Sequence, residues 1–377
     1  MRNRWNILGL ISLGLVFGGM CLYLVLNATR TGVVPNYRGA SVHWWTAEGL
    51  YEAGTHGFLY VPAFAVSFTP FNQIQPPILG EIIWRLLGFS VFGYGLWKLA
   101  NLSNLPQEQR TLRIPAFAVM VLLAVPASLA SLSNGQTNLL LSAVVMLAAL
   151  ALRNEKWDLA GFLLASAIVL KPISLAPWLL TFAIFKPARR ALLLGMLGAL
   201  AIGFMHPDIK YAWHQNISFL EKLVRCYTPV NMRVSDLFGA LQKLGVNASP
   251  GLEKGIRAAA SLAALGFVWW RKGRAGYLGG SWAIWVASGL ILTIFNPRVE
   301  TNSYVIISPL LAFAAVSYWG EAEAKKWKGV ILAIACIGLM CDGMGKPIYL
   351  MTDVWLKPLI VLLVSPLLFR MPERWRA

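Results

Sequence analysis

Residues 131–172 read SLSNGQTNLLLSAVVMLAALALRNEKWDLAGFLLASAIVLKP. Two apolar runs flank a short charged hinge, RNEKWD at 153–158, and polar clusters close both far ends. If each run crosses a membrane, Asn134-Gly135-Gln136 and Lys171-Pro172 return to the same side. The rest of the chain is organised by what else gathers on that side.

Composition supports the membrane reading. Hydrophobic residues make up 57% of the 377 and charged ones only 13%, about half the ~25% charge of a soluble domain. That excludes a soluble globular protein. With roughly 20 residues per crossing, about ten to twelve crossings fit. The net charge of +17 sits in short clusters between apolar runs, the pattern that encodes topology rather than nucleic-acid binding. Cys21, Cys336 and Cys341 fall in apolar runs and Cys226 stands alone, with no CxxC or Cys/His spacing. Neither a disulfide framework nor a metal site is indicated.

The expected spans are 6–26, 78–98, 113–131, 138–152, 157–170, 173–185, 190–205, 256–270, 278–295, 303–319, 329–345 and 354–369. The first is too long for a signal-peptide core and reads as an uncleaved span. Residues 58–77 are apolar but broken by Pro62, Pro70, Pro76 and Pro77. Read as an interfacial helix, they leave at least two basic residues in every short loop of one side. By the positive-inside rule that side is cytoplasmic, so both termini are expected in the cytoplasm and the protein in the cell (inner or plasma) membrane. Residues 173–185 give only about 20 Å of helix against a ~30 Å hydrocarbon core, so 157–185 is either two spans or a re-entrant hairpin. In the outer segment 206–255, Phe219, Leu220, Leu223, Val224 and Tyr227 recur at helical spacing, as do Leu237, Phe238, Leu241 and Leu244. These predict two amphipathic helices on the outer surface. The expectation is one all-α domain over 1–377, a polytopic bundle of about twelve transmembrane helices with outer juxtamembrane helices. The outer loop 27–77 and the segment 206–255 shape its active face.

On the outer side lie VHWWTAEGLYEAGTHG, SNGQTN, KP, MHPD, NPRVETNSY and GKPIYLMTD. Each alone suits turn or cap chemistry. Convergence of Gln136, Lys171, Arg298 and Glu300 on one face asks for more. Glu81 and Arg85, at i and i+4 in a span, are either functional or an ion pair tying helices together.

The stretch from Asn134 to Leu180 resembles the core signature of glycosyltransferase family 87, GT-C-type membrane enzymes, many of them polyprenyl-phosphate-mannose-dependent. The matching residues are Asn134, Gly135, Gln136, Asn138, Ala160, Gly161, Lys171 and Pro172. LYVPAFAVSFTPF and NPRVETNSY are similar to the family's flanking motifs.

That resemblance implies transfer of a hexose, mannose above all, from a polyprenyl-phosphate donor to a cell-envelope glycolipid or glycan on the extracytoplasmic face. The donor is a substrate; no cofactor and no metal are expected, and the partners are membrane lipid, lipid-linked sugar and acceptor. The leaving phosphate calls for cations, Lys171 and Arg298. Asn134 and Gln136 either bind sugar hydroxyls or lock their loop, and Trp44 and Trp45 offer a stacking platform. A carboxylate should deprotonate the acceptor. The family's first-loop Asp has no counterpart here, since 27–77 contains no Asp. Glu48, His43, Asp208 and Glu300 are the candidates in its place. Two other readings stay open: a catalytically silent binder of lipid-linked sugar, and a lipid or solute transporter. The lack of a fixed-period repeat weighs against the transporter.

Overall fold

The chain is built from helices throughout the computed structural model, which describes residues 2–27, 32–102, 115–226 and 234–376; no strand occurs among them. Tyr227, named above, lies outside the described residues, as do Arg110 and Arg113, which with Lys98 make up one of the basic loops counted above. In order, the helices are α1 Arg2–Leu26, α2 Val34–Trp45, α3 Pro62–Gln73, α4 Pro77–Ala100, α5 Ala116–Ala124, α6 Leu129–Asn134, α7 Asn138–Arg153, α8 Trp157–Leu170, α9 Leu175–Ile184 and α10 Arg189–Ile202. They continue as α11 Ile209–Arg225, α12 Leu237–Lys243, α13 Pro250–Leu290, α14 Ser308–Trp319, α15 Lys326–Gly338, α16 Lys346–Thr352, α17 Leu356–Leu368 and α18 Glu373–Arg376. Proline in the first turn starts α3, α4, α13 and α14, where its missing N–H costs nothing. Asp208 and Asp236 cap α11 and α12 through their carboxylates, the expected N-cap chemistry.

Four stretches are long and apolar enough to cross a membrane: 6–26, 77–100, 116–134 and 250–295. The pair α16–α17, bent by 64°, makes a fifth if taken as one span. Residues 138–153, 157–170, 172–184 and 308–319 form shorter apolar helices. The protein is an all-helical membrane protein. Its lipid-facing surface shows in α1 and α10, where Leu15, Leu22, Leu194 and Leu197 stand exposed.

α13 is a hairpin rather than one rod. Its backbone leaves helical geometry at Ala275 and Gly276, and Gly279 then packs against the carbonyl of Arg271. Along a straight helix those residues would stand about 12 Å apart. The fold-back separates the two spans expected at 256–270 and 278–295. Two further features position the site. Gly161 lets α8 and α10 meet backbone to backbone, since a Cβ there would run into Ala191; small residues permit such approach. α2 was not anticipated, because 27–56 reads as polar, yet Val34, Tyr37, Ala40, Ser41 and Trp44 line one buried face at helical spacing.

The polar loops sort to two ends. At one end Arg298 donates to Thr55 O and Cys226 O, Gln136 meets Glu300, and Lys171 meets Asn138. At the other, Arg153 donates to Trp375 O, Lys272 to Ile184 O, and Lys325 bridges Glu321 and Glu373. These are the two loop sets separated above by charge.

Candidate functional site

The site begins with the turn between α6 and α7. Gly135 caps α6 in the left-handed region at φ 66°, and a Cβ there would collide with Val34 and crowd the Arg85 guanidinium. Only glycine fits. Arg85 donates Nε to Leu132 O at 3.0 Å and Nη2 to Ser133 O at 3.1 Å, while its Nη1 pairs with Glu81 at 3.1 Å. Trp84 donates to Gly135 O at 2.8 Å, and the Val33 N–H to Asn134 O at 3.0 Å. Four successive carbonyls are thus engaged from α4 and the start of α2. Glu81 and Arg85 serve as the lock on this turn.

The locked turn aims its side chains at the segment 300–303. Gln136 donates Nε2 to Glu300 Oε2 at 2.7 Å, and its Oε1 accepts from Asn138 Nδ2 at 2.7 Å. Asn138 Nδ2 also reaches Asn302 Oδ1 at 2.9 Å, and its Oδ1 accepts from Lys171 Nζ at 2.7 Å. Asn302 completes the ring by donating to Glu300 Oε2 at 3.0 Å. The Asn134 side chain has no partner among the described residues and stays available.

Lys171 caps α8 in extended conformation, at the point where Pro172 ends the helix. An ammonium carries three donors, and only one is engaged, so two N–H groups have no partner among the described residues. Burial pushes its pKa down, Glu300 works against that, and Arg298 adds to it. Burial works to raise Glu300, but Lys171, the hydrogen bonds from Gln136 and Asn302, and Arg298 together hold its carboxyl below the usual range. An acid with a depressed folded pKa stabilises the fold above its unfolded value, and that stabilisation is lost as pH falls through the folded value. Wild type should therefore outlast Glu300→Gln in thermal unfolding at neutral pH, with the gap closing in acid below its ordinary 4.5. A gap that stays constant with pH would deny the ionised role.

Arg298, expected as a phosphate-binding cation, donates from each terminal nitrogen to a carbonyl, Cys226 O at 3.0 Å and Thr55 O at 3.1 Å. Lys222, which sequence reasoning missed, is buried and donates to Glu52 O, Gly54 O and His56 O at 2.8, 3.0 and 2.7 Å. Two cations from separate segments thus hold the carbonyls of 52–56, and Arg298 still contributes its charge to Lys171 and Glu300. Tyr60 was also missed. Its hydroxyl pairs with Tyr37 at 2.8 Å, and burial, then the Glu300 charge, raises its pKa.

The remaining candidates form a second group. His43 Nε2 lies 3.4 Å from Glu48 Oε2, both side chains well exposed. Tyr211 donates to the carbonyls of both residues. Trp44 is fully buried against His206 and Tyr211, so it offers no open face for stacking. Trp45 is 46% exposed and held by Thr69 at 2.8 Å. Asp208 spends Oδ1 on the N–H groups of Lys210 and Tyr211, as a helix cap. No hydrogen bond joins the two groups among the described residues, and no cluster of three metal-ligating side chains occurs among them.

The sequence model of glycosyltransferase family 87 matches residues 58–290, more than half of the chain. The chain belongs to glycosyltransferase family 87. Membership makes it a membrane glycosyltransferase, in keeping with a fixed polar cluster at one end of an apolar helical bundle. No curated protein matches the chain. The family 87 match includes the locked turn, Lys171 and Lys222, but His43, Glu48 and Glu300 lie beyond its ends.

Proposed function

We propose that the chain moves a hexose, mannose in the first instance, from a polyprenyl-phosphate donor to a cell-envelope glycolipid or glycan. In this reading the shorter apolar helices also cross, giving about twelve spans. Both termini are cytoplasmic and the polar cluster lies on the extracytoplasmic side of the cell membrane. The observation that carries the reading is Lys171, fixed by Asn138 at 2.7 Å with two donors to spare.

The acceptor oxygen attacks the anomeric carbon, the carbon–oxygen bond to phosphate breaks, and the configuration inverts. The electron pair passes to the phosphate oxygen, where Lys171 meets the growing charge in a poorly hydrated place. Gln136 and Asn302 are engaged with Glu300, which keeps the ammonium aligned; the open Asn134 amide faces sugar hydroxyls. Trp45 supplies the stacking surface. The acceptor proton goes to Glu48, oriented by His43; Glu300, held ionised and accepting hydrogen bonds from Gln136, Asn302 and the Ser303 N–H, is the weaker base.

Purified protein with labelled lipid-phosphate mannose and membrane extract tests this. Glu48→Gln should lower turnover by roughly 10²–10⁴ while leaving donor binding intact. If Glu48→Gln, His43→Ala, Asp208→Asn and Glu300→Gln all turn over normally, these base assignments fail. A second reading, a silent binder of lipid-linked sugar, is favoured by the absence of any Asp in 27–77. It requires saturable donor binding through Lys171 without turnover, so any measured transfer eliminates it.

A further inference from the structure

At the end of the bundle away from Lys171, the tip of the α13 hairpin carries Arg271 and Arg274, and Arg376 approaches from α18. The convergence is a product of folding, since the two segments lie about a hundred residues apart in the sequence. Burial, then Arg376 and Arg274, push the Arg271 guanidinium pKa down. Arg271 Nε and Nη2 are shut off from solvent with no acceptor. Four other arginines below the surface have acceptors: Arg85 on Glu81 and two carbonyls, Arg153 on Trp375 O, Arg257 on Asp236, Arg298 on two carbonyls; Arg374 leaves Nε unmet but donates Nη2 to Ala100 O. No carboxylate pairs with Arg271, Arg274 or Arg376 among the described residues. Leaving charged donors unmet is costly, and three like charges side by side add to the cost.

The surroundings say what kind of anion completes the cluster. Trp270 lies under both guanidinium groups, 5.5 Å from Arg271 and 5.0 Å from Arg274. Trp269 is 70% exposed and Phe369 43%, at the end of an apolar helix. Exposed tryptophan at a helix end marks headgroup depth, and basic pockets between helices at that depth suit anionic headgroups. Guanidinium groups match phosphate oxygens by geometry as well as charge.

We propose that Arg271, Arg274 and Arg376 form a binding site for the phosphate of an anionic phospholipid headgroup, in the leaflet opposite the candidate active site. The inference stands apart from the transfer chemistry. The full-length protein, delipidated in neutral detergent, is mixed with phosphatidylglycerol or phosphatidylcholine and bound lipids are counted by native mass spectrometry. Wild type should retain phosphatidylglycerol over phosphatidylcholine. Arg271→Gln with Arg274→Gln should lose about tenfold in retention, as should the exposed Arg376→Gln in lesser degree. Lys156→Gln with Arg190→Gln, which removes two exposed charges at the same end, should change nothing. Equal loss in that control pair would reduce the effect to diffuse surface charge and overturn the site. Equal retention of both lipids, or release of phosphatidylglycerol by millimolar inorganic phosphate, would likewise overturn it, the second in favour of a free-anion site.

Discussion

Replacing Lys171 by Met removes sugar transfer, with a fall in kcat/KM of roughly 10²–10³, the cost of deleting one preorganised donor to developing negative charge. The size follows from the surroundings. Lys171 is aligned by Asn138 at 2.7 Å and faces the charge of Glu300. Arg298, the other cation of the cluster, is committed to holding Cys226 O and Thr55 O, one on each terminal nitrogen. The loss should fall on kcat as well as KM, because the charge on the leaving phosphate grows as the bond breaks. Lys210→Met, at an exposed position on α11, is the control. The measurement is transfer from labelled lipid-phosphate mannose at several donor concentrations. A Lys171→Met enzyme that keeps the wild-type rate would take the cation out of the reaction.

The second large effect is on stability. Trp375 is fully buried and packs within 6 Å, centroid to centroid, of Trp282, Trp285 and Phe313. Its indole N–H reaches Leu278 O at 3.1 Å and Ser281 Oγ at 3.3 Å, and its own carbonyl accepts from Arg153 at 2.9 Å. The residue therefore ties α18 to the α13 hairpin through its indole and to Arg153, at the end of α7, through its carbonyl. Trp375→Ala should cost about 3–5 kcal/mol, the range for emptying a buried aromatic site. Trp327→Ala, at a residue 53% exposed, should cost little. Thermal unfolding in detergent compares the two, and equal shifts would show that the α18 contact contributes nothing.

What the sequence revealed and what it hid divide along a physical line. Hydropathy and loop charge separated the two ends of the bundle, because both are written in side chains. That Gln136 and Lys171 share one end was legible from two apolar runs joined by a hinge. The partners that fix them were not. Asn138 looks like a first-turn residue, and only the approach of 300–303 turns it into the hub between Gln136, Asn302 and Lys171. The duties of Arg298 and Lys222 were hidden for another reason: their partners are carbonyls of 52–56, and a carbonyl has no letter in the sequence. Trp44 and Trp45 look equivalent on paper. The unanticipated helix α2 turns them to different sides, burying Trp44 and leaving Trp45 open.

Lys171 sits at the end of an apolar helix, level with the bundle rather than on a projecting domain. If the donor is lipid-borne, as proposed, it reaches Lys171 without leaving the bilayer, and the encounter is a search in two dimensions. The rate should then follow the mole fraction of donor among the surrounding lipids. Diluting the vesicle suspension with buffer should leave it unchanged, while diluting the donor with inert phospholipid should slow it.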